Sequence, residues 1–342
     1  MKRQFRQLPW AASRPVGKTR STSFTNYSLT RSPRARRVNL SSFLQQCLIG
    51  LTSGGFLGLI AVGYTLVYGT VGLIHFAHGD VVMLGGCLAV TLFSLAGPLP
   101  LEPLAGWLLV MAVAVSCGLF CGGLNVAIDW IVYQPLRRAP PLALLVSAVG
   151  VSFILMNIGL LWLGPTDRAF PEVLAAGDRQ AAGVWLPTGD LLVLAIVLPA
   201  FGGLLLLLRK TNFGRSLRSV AAVARAASRT GGPERFIAAT FFLGGLLGGL
   251  ASVAAGIHAT TINYQLGYQT GLYALTAAVL GGIGSVPGAI VGGLVVGLVR
   301  AVSVALVGPR WATAAVFLVL LVVLAFRPQG LFGRPTGVGR PA

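Results

Sequence analysis

The sequence predicts an all-α fold: a polytopic transmembrane helical bundle of about eight spans, with glycine-broken or re-entrant elements. Hydrophobic residues make up 55% of the chain and charged residues only 10%, whereas a soluble domain carries about 25% charged residues. The apolar residues gather in continuous runs of about 20, the length that crosses a bilayer as a helix. A transmembrane β-barrel would require alternating segments of about ten residues instead.

The apolar segments follow a basic N-terminal arm. Residues 1–38 hold no acidic residue and little apolar periodicity, so we expect this arm to be disordered in isolation. The transmembrane domain is expected at 39–335, and a short C-terminal tail at 336–342. Its apolar segments lie at about 42–62, 64–97, 105–128, 142–163, 189–208, 236–257, 272–284, 286–307 and 311–326.

The net charge of +18 is concentrated in a few places. Beside membrane spans, Lys and Arg mark the cytoplasmic side, where they can also meet anionic headgroups, so the charge indicates no nucleic-acid partner. The loops 133–141 and 209–235 are therefore predicted inside, and the mixed-charge connection 163–190 outside. A cytoplasmic arm would then need an odd number of crossings before Gly97.

The stretch Gly63–Gly86 places ionisable residues inside apolar sequence. Each costs roughly 2.5–3.5 kcal/mol at a helix centre, so such residues are seldom incidental. Its glycines, among them Gly63, Gly69, Gly72, Gly79 and Gly86, are expected to interrupt any helix, either as a half-crossing that returns or within a full crossing. We predict that its polar residues line or shape a translocation path: Tyr64, Tyr68, His75, His78 and Asp80.

A second interrupted element lies in the other half of the chain. Pro287 lacks an amide donor and glycine unwinds readily, so 281–288 cannot be continuous helix. Interrupted segments in the two halves of a transporter point to its transport site. Three glycines of this element are predicted to face the path: Gly281, Gly282 and Gly284.

The cytoplasmic loop 209–235 contains a predicted short helix at 215–229, which Gly231-Gly232-Pro233 ends. Such a helix can dock an ATPase, or it can lie on anionic lipid; the pattern does not separate the two. The candidate coupling residues are Leu217, Arg218, Val220, Arg225 and Arg229.

Other chemistries find little support in the sequence. His75 and His78 could share a helix face near Asp80, but no second ligand cluster exists, so we predict no metal site. Gly17-Lys18-Thr19 lacks the upstream glycine of a phosphate-binding loop. No cofactor and no catalytic residue are predicted, since neither a hydrolytic nucleophile constellation nor a cofactor motif is present. The four cysteines are expected to be buried small hydrophobes.

Four sequence motifs follow one another in the order and at the spacing found in one family of membrane proteins. They are GYTLVYG with IHFAHGDVVMLGG at 63–86, VYQPLRRAPPLALLVSAVGVSFIL at 132–155, ALTAAVLGGIGSVPGAIVGGLVVG at 274–297 and RPQGLFGRP at 327–335. From about Ser42 to Pro335 the chain resembles the permease subunits of bacterial branched-chain amino acid ABC importers. The smaller, first type of permease (the LivH type) is the better match.

This resemblance implies a transport subunit of the bacterial inner membrane rather than an enzyme. Its partners would be a homologous second permease subunit, two cytoplasmic ATP-binding subunits that hydrolyse ATP, and a periplasmic solute-binding protein. The chain departs from the family pattern at His75, where the family has asparagine, and at Asp80, where it has glutamate. Val223 and Arg225 stand where the family carries acids, which implies either specialised pairing with its ATPase or a degenerate subunit.

Two other transport functions stay open at this point. Importers of urea or short-chain amides resemble the same family almost as well. An ATPase-independent channel or secondary carrier is an alternative of a different class.

Overall fold

The computed structural model describes residues 40–72, 74–97, 103–137, 139–171, 179–181, 184–211, 214 and 234–333. All of them belong to the unit Asn39–Ala342. Within this part of the chain, eight helices are long and apolar enough to cross a membrane. The prediction of a polytopic helical bundle is confirmed.

The elements follow one another in a simple order, with two short strand pairs on one end of the bundle. The helices are α1 Leu40–Val71, α2 His78–Ala96, α3 Pro103–Ile128, α4 Gln134–Leu136, α5 Pro141–Leu163, α6 Thr188–Lys210, α7 Glu234–Ala259, α8 Leu266–Gly281, α9 Val286–Leu306 and α10 Pro309–Phe326. A π-helical turn, Asp129–Tyr133, joins α3 to α4. The strands are β1 Arg168–Ala169, β2 Arg179–Ala181, β3 Val184–Leu186 and β4 Thr261–Ile262, paired antiparallel as β1–β4 and β2–β3.

Helix α7 packs against α1, α2, α3 and α6, and its contacts show how these helices are directed. The ring of Phe56 in α1 lies 5.6 Å from that of His258 at the far end of α7, so α1 and α7 are antiparallel. Contacts of α2 and α3 with α7 make α2 parallel to it and α3 antiparallel. Helix α6 begins beside the end of α7, where Asp190 lies 3.7 Å from His258, so it is antiparallel to α7. Helix α5 is parallel to α2, since Ser152 meets Asp80 and the later Gly159 meets Met83. Helices α1, α3 and α6 therefore run one way, and α2, α5 and α7 the other.

The basic residues identify the cytoplasmic end. Arg209 and Lys210 close α6, and Arg137 follows α4, so the charge rule puts these ends inside. Helix α1 then begins at the outer end. Two helices precede Gly97, so the odd number of crossings that a cytoplasmic arm would require is not present among the described residues.

The predicted boundaries near Gly63 are wrong. Gly63 and Gly69 lie inside α1, and Gly79 and Gly86 lie inside α2, so only Gly72 falls at an interruption. A Cβ on Gly63 would overlap the imidazole of His78 and would lie 3.1 Å from the carbonyl oxygen of Gly244. Glycine serves here for close helix contact and leaves the helix intact.

The same kind of contact joins α3 to α7. A Cβ on Gly249 would overlap the carbonyl oxygen of Cys117, and one on Gly245 would overlap that of Cys121. Without a hydrophobic driving force between helices in lipid, such backbone approach supplies much of the packing energy. The glycine pairs four residues apart therefore build a tight bundle.

The contact between α3 and α7 can be tested by adding one methyl group. We expect Gly249→Ala to destabilise the protein by about 1–3 kcal/mol, the usual cost of overpacking, because the methyl group meets rigid backbone. The matched control is Gly123→Ala on the exposed side of α3, where a Cβ meets no atom within 4 Å. Thermal unfolding in detergent should show a lower melting temperature for Gly249→Ala alone. Equal melting temperatures would contradict this account of the contact.

Candidate functional site

The non-helical segment between α1 and α2 places His75 and His78 inside the bundle. Gly72 closes α1 with a φ of 71°, a conformation that favours glycine. The amide of His78 then donates to the carbonyl of His75 at 3.0 Å as α2 begins. Both imidazoles are buried as a result, His75 with 1% and His78 with 0% of its surface exposed.

Asn125 of α3 connects these two histidines. Its Oδ1 lies 3.1 Å from Nε2 of His75, and its Nδ2 lies 3.3 Å from Nδ1 of His78 and 3.2 Å from the carbonyl oxygen of Phe241 in α7. Tyr133 completes the network, with its hydroxyl 2.7 Å from Nδ1 of His75. We call these four side chains, His75, His78, Asn125 and Tyr133, the polar cluster.

The partners of Asn125 determine which atom donates and which accepts in each hydrogen bond of the polar cluster. The amide nitrogen of Asn125 donates to His78 and to Phe241, so its oxygen must accept from Nε2–H of His75. Nδ1 of His75 then accepts from the hydroxyl of Tyr133. This assignment, made from the network, leaves both imidazoles neutral.

The π-helical turn places Tyr133 in the polar cluster. π-Bulges occur frequently at functional sites, because the extra residue changes which side chains face inward. Here Tyr133 is fully buried, whereas Trp130 of the same turn is 70% exposed. Asp129, at the start of the turn, accepts two hydrogen bonds of 2.8 Å from Arg137. The turn is thereby tied to the first residue after α4.

Asp80 lies one half-turn beyond His78 in α2. Its residue surface is only 3% exposed, and one carboxylate oxygen accepts a hydrogen bond from the hydroxyl of Ser152 in α5. No basic side chain in the described part of the chain forms an ion pair with it. Tyr64 is 5% exposed, and its ring meets that of His78 edge-on with 4.9 Å between centroids.

The structure brings four of the predicted path residues together, namely Tyr64, His75, His78 and Asp80. Tyr68 lies one helical turn beyond Tyr64 in α1 and is 36% exposed. Their role in transport stays a prediction.

The second interrupted element, 281–288, contacts the C-terminal segment of the chain. Helix α8 ends at Gly281, and Gly282 follows with a φ of 102°. The amides of Leu331 and Phe332 donate to the carbonyls of Leu280 and Gly281, each at 2.9 Å. Ser285 caps α9 by accepting from the amide of Gly288 at 3.3 Å. The turn that holds Gly281, Gly282 and Gly284 therefore packs against the C-terminal segment.

Three residues of the site escaped prediction: Asn125, Tyr133 and Ser152. Asn125 and Ser152 are single polar residues in apolar runs, which is the signal that could have found them. The predicted coupling residues Leu217, Arg218, Val220, Arg225 and Arg229 all lie outside the described residues.

Protein partners bind all but one of the ring nitrogens in the polar cluster; Nε2 of His78 forms no hydrogen bond within the described residues. Three of the four imidazole nitrogens of His75 and His78 bind Asn125 or Tyr133. Across the described residues, no group of three or more His, Cys, Asp or Glu side chains is arranged to hold a metal ion.

Removing Asn125 tests whether the polar cluster stabilises the fold. Asn125→Leu leaves His75, His78 and the carbonyl of Phe241 without this partner, and each buried polar group left unsatisfied costs about 1–3 kcal/mol. Tyr133→Phe removes one hydrogen bond only. We expect the melting temperature to fall more for Asn125→Leu than for Tyr133→Phe. Ser116→Ala is the control, because Ser116 is exposed and bonds only within its own helix; the account fails if Asn125→Leu melts like that control.

A family model and the similar proteins of known function all point to one class of membrane transport protein. Residues 46–325 match the family model described as branched-chain amino acid transport system / permease component. The chain is 35% identical over 298 residues to the high-affinity branched-chain amino acid transport system permease protein BraD of Pseudomonas aeruginosa, covering 86% of this chain and 96% of that protein. LivH of Escherichia coli K12 has the same identity and coverage, and LivH of Salmonella typhimurium is 34% identical over the same length. No solved structure matches the chain.

The match covers most of the chain and includes every helix that forms the site. The chain belongs to the family of branched-chain amino acid transport system permease components.

Proposed function

We propose that this chain is the membrane-spanning permease subunit of an ATP-driven importer that moves branched-chain amino acids across the bacterial inner membrane. It pairs with a homologous second permease subunit. Two cytoplasmic ATP-binding subunits supply the energy, and a periplasmic binding protein delivers the solute. BraD and LivH, named as high-affinity branched-chain amino acid transport system permease proteins, support the solute class.

The observation that carries the proposal is the environment of Asp80. A carboxylate inside a membrane helix is expensive unless a charge or hydrogen bonds compensate it. Asp80 has the hydroxyl of Ser152, and no basic side chain of the described residues pairs with it. An amino acid carries an ammonium group, which is the complement that this carboxylate lacks. Asp80 is therefore assigned to the path, with Tyr64 and the polar cluster shaping its wall.

Energy must come from a partner chain. The one sequence that resembles a phosphate-binding loop, Gly17-Lys18-Thr19, has Ala12 where the motif needs glycine. ATP hydrolysis on separate cytoplasmic subunits fits this sequence. The loop 209–235 is the proposed contact to them.

Uptake of labelled leucine in cells with and without this chain tests the function. Loss of uptake on deletion, with no competition from excess unlabelled urea, is the expected result. Competition by urea would favour the urea and amide class. Leucine uptake that does not change on deletion would contradict the proposal.

Asp80 provides a sharper prediction within the same assay. Asp80→Ala should lower leucine uptake at least about tenfold, because loss of an interaction worth 1.4 kcal/mol already changes an equilibrium constant tenfold. Asp80→Glu keeps the carboxylate and should retain part of the uptake. Membrane levels of both variants are measured in parallel. Normal uptake by Asp80→Ala at a native-like level would remove Asp80 from the path.

A further inference from the structure

The crossing that contains α8 is completed by backbone that is not helical. With 16 residues, α8 is only about 24 Å long at 1.5 Å per residue, shorter than the roughly 30 Å hydrocarbon core. It begins deep in the bundle: a Cβ on Gly267 would lie 2.8 Å from the carbonyl oxygen of Gly79 and 3.0 Å from Cα of Asp80. Residues 260–265 therefore lead from the outer end of α7 down to the level of Asp80 in a non-helical conformation.

Non-helical backbone at this depth needs partners, and β1 supplies them. Strand β4 pairs antiparallel with β1, Arg168 opposite Ile262 and Ala169 opposite Thr261. The amide of Phe170 donates to the carbonyl of Thr260 at 2.8 Å. Backbone of this kind is tolerated in a membrane protein where it is buried in protein or lines a water-filled cavity.

Polar side chains anchor the outer side of this strand pair. Asn263 donates from Nδ2 to Asp167 at 3.0 Å and accepts at Oδ1 from the amide of Gln265 at 3.1 Å. Arg168 donates from Nε to the carbonyl of Leu163 at the end of α5, at 3.0 Å. Residues Arg168, Ala169 and Thr261 are exposed. The outer side of the pair therefore meets water.

Two apolar side chains at the strand pair, Ile262 and Phe170, are buried against the helices. Ile262 is 0% exposed and packs on Gly86 of α2, where a Cβ would lie 2.8 Å from its Cδ1. Phe170 is 6% exposed and meets Phe93 edge-on, with 5.4 Å between ring centroids. Two apolar side chains thus close the bundle interior between α2 and α7. They do so on the outer side of Asp80, which lies six residues earlier in α2 than Gly86.

We propose that the β1–β4 pair is the outer gate of the transport path, with Ile262 and Phe170 as the gate residues that seal the site at Asp80. The proposal rests on the assignment of Asp80 to the path. The pair is only two residues long in each strand, and it is held by few hydrogen bonds. It can therefore separate without disrupting the helices that flank it.

A disulfide across the pair tests whether it must open. Ala169 and Thr261 face each other next to the hydrogen bond of Phe170, so they form a non-hydrogen-bonded pair, whose Cα atoms are typically about 4.5 Å apart, close enough for a disulfide. Ala169→Cys/Thr261→Cys is made after the four native cysteines are replaced by alanine. Under oxidation, leucine uptake should fall at least about tenfold, an effect of about 1.4 kcal/mol or more. A reducing agent should restore it.

The β2–β3 pair provides the matched control. Gln180 faces Trp185 in that pair, and the Gln180→Cys/Trp185→Cys disulfide should leave uptake unchanged. Equal uptake by the oxidised and reduced forms of the β1–β4 variant would overturn the gate while the proposed function stands. Absence of leucine uptake in the parent protein would instead count against the proposed function.

The rate of thiol labelling beside Asp80 tests the proposed gate without a transport assay. In the protein without its four native cysteines, Ser152→Cys places a single thiol beside Asp80, and a membrane-impermeant thiol reagent added from outside reports access to it. Adding Ile262→Ala should speed labelling at least about threefold in the resting protein, because the apolar seal is shortened. Leu108→Ala, on the exposed side of α3, is the control and should not change the rate. Equal labelling rates with and without Ile262→Ala would overturn the gate even if the disulfide variant failed to fold.

Discussion

One side-chain amide, that of Asn125, holds the interior of the bundle together. It bonds to His75 in the interruption between α1 and α2, to His78 at the start of α2 and to the backbone of Phe241 in α7. Water is not available to replace such bonds in the apolar interior, so each buried donor and acceptor must find a protein partner. The interruption can exist at this depth because α3 brings Asn125 and, through its π-helical turn, Tyr133 to the same place. A break in one helix is thus stabilised by a distortion in another.

Close backbone contact makes this arrangement possible. Asn125 reaches α7 because Gly245 and Gly249 let α3 approach that helix without intervening side chains. Gly63 likewise leaves room for His78 against α1. Small residues in membrane helices therefore do more than strengthen packing. In this protein they bring polar groups from separate helices within hydrogen-bonding distance.

The arrangement also separates two kinds of polar residue. His75, Asn125 and Tyr133 satisfy one another, and His78 is held by Asn125 through Nδ1, while its Nε2 forms no hydrogen bond within the described residues. Asp80 belongs to the same region, but its carboxylate meets only a hydroxyl of α5 among the described side chains. Uncompensated charge inside a membrane protein marks a functional position. The region therefore combines a hydrogen-bonded cluster with one acid, Asp80, whose contact with a solute is a proposal.

Much of this could be predicted from the sequence, and the failures have physical causes. Apolar runs predicted the helical bundle, which is confirmed. The ionisable residues of Gly63–Gly86 predicted a segment whose histidines and Asp80 are buried in the structure, while their role in transport stays a prediction. Asn125 and Ser152 were missed because a single polar residue in an apolar run has no partner in sequence; only tertiary approach supplies one. The prediction that Gly63 breaks the helix is wrong because the contact with His78 that requires glycine there is equally invisible in sequence; Gly69 also lies inside α1, although a Cβ there would meet no atom within 4 Å. The short α8 and the strand pair above it depend on contacts between segments about 90 residues apart.

We propose that solute passes beside Asp80, and protection of position 152 by solute would show whether it does. In the assembled transporter carrying Ser152→Cys and no other cysteine, a small thiol reagent is applied during ATP-driven turnover with and without saturating leucine. The account predicts that the thiol is modified during turnover and that leucine slows the modification, whereas excess urea does not. Modification at the same rate with and without leucine, in a transporter that still takes up leucine, would contradict it.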